Sequence, residues 1–566
     1  MEKILKIFGK QYDNINQAAF LLGSFAFLSQ ILGLLRDRML AHFVGPSASL
    51  DAYYAAFRVP DFIFISIASL ASITVIIPFV AAKMPTSSAE GQGHFVTKEA
   101  GKFLSDVLSV FLIVIVSISF VALILMPYLI SFIAPGFTES MQDKVVELSR
   151  IMLLSPILLG LSNLFGSLTQ IFRKFFIYAL SPIFYNLGII AGILFLYPIW
   201  GIGGLALGVV LGALMHFSIQ VFSAWDLGFM PRFSFSPNFQ EIKRVILVSL
   251  PRTLGLSLNN LALMAIIALA SFLEGGSISI FNLSFNLQAV PLGIVGLSYA
   301  VAAFPLLTKS FSSGKIDEFK TQLKSAARAI IFWSLPITFL FIVLRAQVVR
   351  VILGSGSFSW ENTRLVAASL AIFSVSIMAQ GLIALLARAY YAGGNTRRPL
   401  LINLFSSSVI VIFSFLFLHL FNNFLVFRYF IESLLKVTDV PGTEVLMLPL
   451  AYSCGTILNF ILLAYFAKKD FLKKEQFITR TFWENLSASF FIGVVAYIGL
   501  NIFSPIFGLS TFWGVFFQGL VSGVLGLGAG ALLLYLFGSK ELENLINTLH
   551  TKFWKTKVIA PPQEGL

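Results

Sequence analysis

Apolar residues fill this chain in blocks of about twenty, the length an α-helix needs to cross a bilayer. The blocks predict helices near 18–43, 50–82, 104–132, 145–172, 175–198, 201–225, 241–272, 277–308, 322–347, 361–391, 398–421, 445–467, 482–504 and 512–537, about fourteen in all. The fold class is therefore an all-α polytopic membrane protein. Two flanking segments read differently. Residues 1–17 form a short amphipathic lead into the first helix, and 538–566 a basic helix followed by a disordered end. The first of these lacks a small-residue cleavage site and is not read as a removed signal peptide. The connection 422–444 is longer than its neighbours and reads as an interfacial amphipathic helix.

The pattern also repeats. "PFVAAKMPTSS" from Pro78 and "PLLTKSFSSGK" from Pro305 each end a long helix and open the next through a basic linker. "APGF" (134–137) precedes a helix ending "LTQIFRKFFIYALSP", as "LGSGSF" (353–358) precedes one ending "LLARAYYAGGNTRRP". Both pairs are offset by about 220 residues, some six helices. The expected organisation is two six-helix lobes in a parallel repeat, 18–225 and 226–467, plus two further helices within 468–537.

Composition agrees: 57% of residues are hydrophobic and only 11% charged, against roughly 25% charged in soluble domains. The net charge of +13 has no compact basic domain to hold a nucleic acid. It gathers instead in alternate connections, including Lys83, Lys98 and Lys102; Arg173 and Lys174; Lys309, Lys315 and Lys320; Lys468, Lys469, Lys473 and Lys474; and the tail lysines Lys552, Lys555 and Lys557. Basic loops stay on the cytoplasmic side, so both termini are expected there, with Arg345 and Arg350 as outer exceptions. A single cysteine, Cys454, excludes an intramolecular disulfide, and the five histidines show no metal-ligand spacing. No phosphate-binding G-x-x-x-x-G-K-[ST] loop and no catalytic carboxylate or Ser-His-Asp arrangement is visible. No cofactor or metal is expected, and the chain reads as a transporter, not an enzyme.

The informative charges lie inside apolar runs. Arg36, Asp37 and Arg38 fall deep in the first predicted span, and Asp51, Arg58 and Asp61 open the second. Asp51 and Arg58, seven apart, share a helix face at about 10 Å spacing. Arg58 and Asp61, three apart, can pair locally, and Pro60 should kink the helix. Two interpretations stand. Residues 18–35 and 62–82 could nearly span the bilayer alone, leaving the charges on an outer hairpin. Alternatively they face a water-filled path, the usual place of intramembrane ionisable groups. Arg252, after Pro251 in the seventh span, either joins that cavity or snorkels to the cytoplasmic interface. The eighth span, "SISIFNLSFNLQ", is polar but uncharged, a pattern that more often ties helices together than binds substrate. A cationic cavity suits an anionic substrate, because guanidinium grips phosphate oxygens bidentately.

The run "SQILGLLRDRMLAHFVGPSASLDAYYAAFRVPDFI" (29–63) resembles the start of the MurJ/MviN family of lipid II flippases, which reads S-R-x-L-G-x-x-R-D and then D-A-F-x-x-A-F-[KR]-x-P. "APGF" and "PLGIVGLSYAVAAFPLLTKSF" (291–311) also look like it. The resemblance implies a fold of the multidrug and polysaccharide exporter superfamily, with the last two helices forming a groove for a lipid tail. It implies a headgroup cavity containing Arg36, Asp37, Asp51 and Arg58; the residues themselves add Arg252, with Arg38, Asp61 and Asn286 as further candidates. Three family arginines are absent: Gln30, Phe64 and Asn286 stand in their places, and Arg38 and Arg252 are extra cations. The implied function is translocation of lipid II, or a related polyprenyl-pyrophosphate glycan, from the inner to the outer leaflet of the bacterial cytoplasmic membrane by alternating access. Membrane lipids and the cell-wall synthesis machinery are the implied partners. The alternatives are a flippase for another polyprenyl-linked oligosaccharide and a non-transporting scaffold for envelope assembly.

Overall fold

The computed structural model describes residues 15–68, 79–80, 83, 97–172, 174–226, 230, 232–472, 479–508 and 511–553. The expected amphipathic start at 1–14, the middle of the second expected span at 69–78 and the chain end after 553 lie outside the described residues. Among the described residues there are helices and no strands. Eleven helices are long and apolar enough to cross a membrane, or up to twelve when the broken pair Trp360–Ser374 and Ile377–Ala392 counts as one. They correspond to twelve of the fourteen expected spans. The first expected span is the 29-residue helix Ile15–Phe43. The second is not one helix within the described residues: it runs as Ala48–Ala56, Arg58–Ile63 and a π-helical turn Phe64–Ala68. Pro60 carries no N–H, so the helical ladder cannot run unbroken through it. Glu139–Met152 and Leu154–Ile171, divided at Leu153, are followed about 220 residues on by the broken pair Trp360–Ser374 and Ile377–Ala392.

The chain forms two compact units. The first contains residues 1–290, 352–373 and 394–462. Its core is made by Leu40, Leu50, Tyr53, Phe103, Ile115, Ile266, Phe281 and Phe373. Helix Ile202–Asp226 packs on Phe175–Ala191, which in turn packs on Ile15–Phe43. The first of these contacts is made by glycine. A Cβ on Gly188 would lie 2.3 Å from the Gly212 Cα, and one on Gly192 2.3 Å from the Gly208 Cα. Small residues let helix backbones meet in this way where lipid supplies no hydrophobic drive. Large apolar side chains such as Phe120, Phe132 and Phe415 point outward, as a lipid-facing surface requires.

The same unit carries the expected interfacial segment. Leu425–Leu435 is a helix that ends in a left-handed Lys436. Its Leu425, Val426, Tyr429, Phe430 and Leu434 are exposed. Buried Glu432 accepts from Arg428 Nε at 3.0 Å and Thr443 Oγ1 at 2.7 Å. Arg364 donates to both oxygens of Asp439, at 2.7 and 2.6 Å, and to the Lys436 carbonyl at 2.5 Å. The amphipathic helix is thereby fastened at its C-terminal end.

The second unit contains residues 291–351, 374–393 and 463–566. Helix Thr479–Phe503 packs against Phe512–Leu536 and Ile316–Val343. The last helix, Lys540–Phe553, sets Leu542 into a small core with Phe332, Ala488 and Leu534. Its first turn holds Glu541 and Glu543. The expected basic character of the tail rests on Lys552, Lys555 and Lys557, whose side chains lie outside the described residues.

Candidate functional site

The hairpin tip between the first two helices sets the geometry. Gly45 adopts φ 69°, a left-handed value that favours glycine. A Cβ there would also come within 2.8 Å of the Ser357 carbonyl oxygen. Ser47 then caps the next helix, accepting from Leu50 N at 3.4 Å. The turn brings Asp51 and Arg58 back alongside the end of the first helix, where Arg36 and Asp37 lie.

Asp37, Asp51 and Arg58 meet one face of helix Ser277–Pro291. Asp51, 2% exposed, accepts from Gly276 N and Ser279 N, both at 2.7 Å, and from Ser279 Oγ at 2.6 Å. These groups belong to the helix N-terminus, whose amides have no partner within the helix and whose dipole favours an anion. Arg58 Nη2 donates to Asn282 Oδ1 at 2.5 Å. Asn286 Nδ2 donates to Asp37 Oδ2 at 2.9 Å. Ser279, Asn282 and Asn286 are spaced three and four apart, so they share a stripe. Three bridges thus stitch the first hairpin to this helix.

Asp37 is buried, and its other oxygen accepts from Arg36 Nε at 3.0 Å and Nη2 at 2.8 Å. Arg36 Nη1 donates to Asn186 Oδ1 at 3.4 Å. Asn186 is itself held, donating to the Ser29 carbonyl at 3.3 Å, Ser29 Oγ at 3.2 Å and the Pro182 carbonyl at 3.2 Å. The glycine-packed helix 175–191 therefore supplies the residue that orients Arg36. The Arg36 side chain keeps 24% of its surface exposed, against 4% for Asp37.

Two buried donors here are unused: Arg58 Nε and the Tyr54 hydroxyl have no hydrogen-bond partner among the described residues. They are four residues apart, one turn along the hairpin's second arm. Gln30 Oε1 is likewise buried and without a hydrogen-bond partner among the described residues.

Arg36, Asp37, Asp51, Arg58 and Asn286 are therefore brought together. Asp61 lies half-buried one turn beyond Arg58. Arg38 points elsewhere, with Nη1 donating to the Ile352 carbonyl at 3.1 Å. Arg252 lies in helix Phe239–Ala270, but its side chain is outside the described residues. The two carboxylates are enclosed by protein and satisfied, and the arginines carry the remaining donor capacity. Asn186, Ser279 and Asn282 were not anticipated as members. The i, i+3, i+7 run of polar residues in "SISIFNLSFN" is the signal that identifies the last two.

The sequence profile of the lipid II flippase MurJ family matches residues 40–517. This chain belongs to the MurJ family. Among its relatives are a probable lipid II flippase MurJ of Rhizobium tropici, 28% identical over 66% of this chain and 70% of that protein. One of Thermotoga maritima is 27% identical over 69% and 76%. A further MurJ relative, from Buchnera aphidicola of Acyrthosiphon pisum, is 25% identical over 88% and 93%. Among solved structures, a lipid II flippase MurJ in an inward closed conformation superposes with TM-score 0.72 at 20% identity, over 93% of this chain and 100% of that one. An inward-facing MATE-family multidrug transporter of the MOP superfamily gives 0.62 at 16%, over 78% and 94%.

Proposed function

We propose that this protein is a transporter that carries lipid II from the inner to the outer leaflet of the bacterial cytoplasmic membrane, with both termini on the cytoplasmic side. The observation that carries this reading is the family match over 40–517. The geometry supports it through Arg58 and Tyr54, buried donors with unused hydrogen-bonding capacity beside the partly exposed Arg36. Those groups suit pyrophosphate oxygens. The two-lobe reading assigns helix 277–291 to the second lobe and residues 36–58 to the first. The three bridges then join lobe to lobe, and alternating access requires them to open. Asp37 releases Arg36 as the headgroup's phosphates take its place. Arg252 is proposed as a further cation on the path, and Asp61 as a local partner for Arg58.

The polyprenyl tail remains in lipid against the helices 479–503 and 512–536. Carrying negative charge outward is favoured by an inside-negative potential, by about 2.3 kcal/mol per charge per 100 mV, so no nucleotide hydrolysis is needed. The exposed apolar face of helix 425–435 offers the cell-wall synthesis machinery a contact in the outer leaflet. A second reading, transport of another polyprenyl-linked glycan, is favoured by Gln30, Phe64 and Asn286 at positions where the family carries arginine. The test is complementation of a strain depleted of its own flippase, with lipid II counted in each leaflet. Rescue with lipid II reaching the outer leaflet supports the reading. Growth arrest with inner-leaflet lipid II accumulating refutes it, and binding of a different lipid-linked glycan by the purified protein would favour the second reading.

A further inference from the structure

The second unit holds a pocket remote in sequence from the charged seam. Its volume is about 360 Å³, at the lower end of the roughly 300–1,000 Å³ usual for ligand pockets. Phe332, Trp333 and Leu545 give it an apolar floor, and Arg328, Lys540, Glu541 and Asn544 a polar rim. Two spans contribute their boundary cations. Arg328 is the last charge before the apolar run Ala329–Leu344, and Lys540 the first after the span 512–536. Both therefore lie at one bilayer boundary, where tryptophan is also enriched. The proposed orientation makes this the cytoplasmic boundary, on which the inference relies.

The pocket is built, not incidental to a loose tail. Leu542 is buried against Phe332, Ala488 and Leu534, and this fixes the first turns of the last helix over the rim. Glu541 is drawn to one side, accepting from Ser539 Oγ at 3.3 Å and Thr481 Oγ1 at 3.5 Å. Arg328 and Lys540 are exposed.

We propose that this pocket binds the headgroup of a singly anionic glycerophospholipid of the inner leaflet, of the phosphatidylglycerol type. Two cations and one carboxylate give the rim a net charge of +1, which one phosphodiester neutralises. A zwitterionic headgroup would leave that charge unmatched. The phosphodiester lies between Arg328 and Lys540, the headgroup hydroxyls donate to Glu541 and to the Asn544 carbonyl oxygen, and the acyl chains leave over Phe332 and Trp333. The lipid thus fastens the last helix to helix 316–343.

Trp333 supplies the readout. The full-length protein is placed in phosphatidylcholine nanodiscs containing brominated phosphatidylglycerol or brominated phosphatidylethanolamine, and tryptophan quenching is followed. The part lost in Trp333→Phe is the pocket's signal, since the chain has seven tryptophans. Saturable quenching by phosphatidylglycerol at a few mole per cent is expected. Its half-saturation should shift by about tenfold in the double variant R328Q/K540Q and stay within about threefold in Arg328→Lys. Equal quenching by both lipids, an unshifted double variant, or equal loss in Arg328→Lys overturns the proposal. Displacement by millimolar inorganic phosphate assigns the pocket to free phosphate and overturns the lipid assignment. None of these readouts depends on flipping, so failure here leaves the proposed transport activity standing.

Discussion

Asp37 and Asp51 illustrate how a carboxylate can sit inside a membrane protein without a net cost that unfolds it. Each oxygen of Asp37 has a donor, and Asp51 binds three at a helix N-terminus. Burying an ionised group is tolerable only when it is paired and hydrogen-bonded. Asn286→Leu removes the donor to Asp37 Oδ2. It should cost about 1–3 kcal/mol, read as a lower thermal unfolding temperature in detergent, whereas Asn286→Arg should keep the bridge as a charged pair. Asp51→Ala leaves the amides of Gly276 and Ser279 without their acceptor, at about 1–3 kcal/mol for each. If Asp51→Ala melts like the parent, the capping role assigned to it is wrong. The extra cation Arg38 spends a donor on the Ile352 carbonyl, so Arg38→Gln should affect stability more than transport.

At the scale of elements, the seam depends on helix 175–191 holding Asn186 in place. Gly192→Leu would drive a side chain into the Gly208 backbone. Overpacking of this kind costs about 1–3 kcal/mol, and the loss should appear as reduced thermal stability together with weaker transport. The outer helix 425–435 has a separate fastening. Arg364 beside Asp439 holds that carboxyl below the usual carboxylate range. A depressed folded value stabilises above the ordinary pKa and is lost as pH falls through the depressed one. Proteolysis of the 424–446 segment should therefore rise on acidification below the ordinary carboxylate range, and Arg364→Ala should remove that pH dependence.

Much of this was legible beforehand. Twelve of the expected spans match the apolar blocks, because burial in lipid demands length and hydrophobicity that no side-chain detail can disguise. The division of the second span was only half legible: Pro60 announced a disturbance, but not separate helices and a π turn. The long-range partners of Arg36 and Asp51 were not legible, since Asn186, Gly276 and Ser279 are uncharged and more than a hundred residues away. The polar run "SISIFNLSFN" reads as polarity that ties helices together, and its Ser279, Asn282 and Asn286 bond the hairpin in that way.

For the molecule as a whole, the central claim is that a hairpin of charges locked to helix 277–291 opens to hold a pyrophosphate headgroup. Orientation is a prior question, and the single Cys454 simplifies it. In a Cys454→Ala background, cysteines placed at Ser504 and at Ser312 should label from opposite sides of the membrane, with Ser312 reached only from the cytoplasm. The most direct measurement is lipid II translocation in depleted cells expressing Arg36→Glu or Arg58→Glu, with membrane insertion of each variant verified. Charge reversal at either position should abolish delivery to the outer leaflet while the protein remains inserted. Full delivery by both variants would contradict the account.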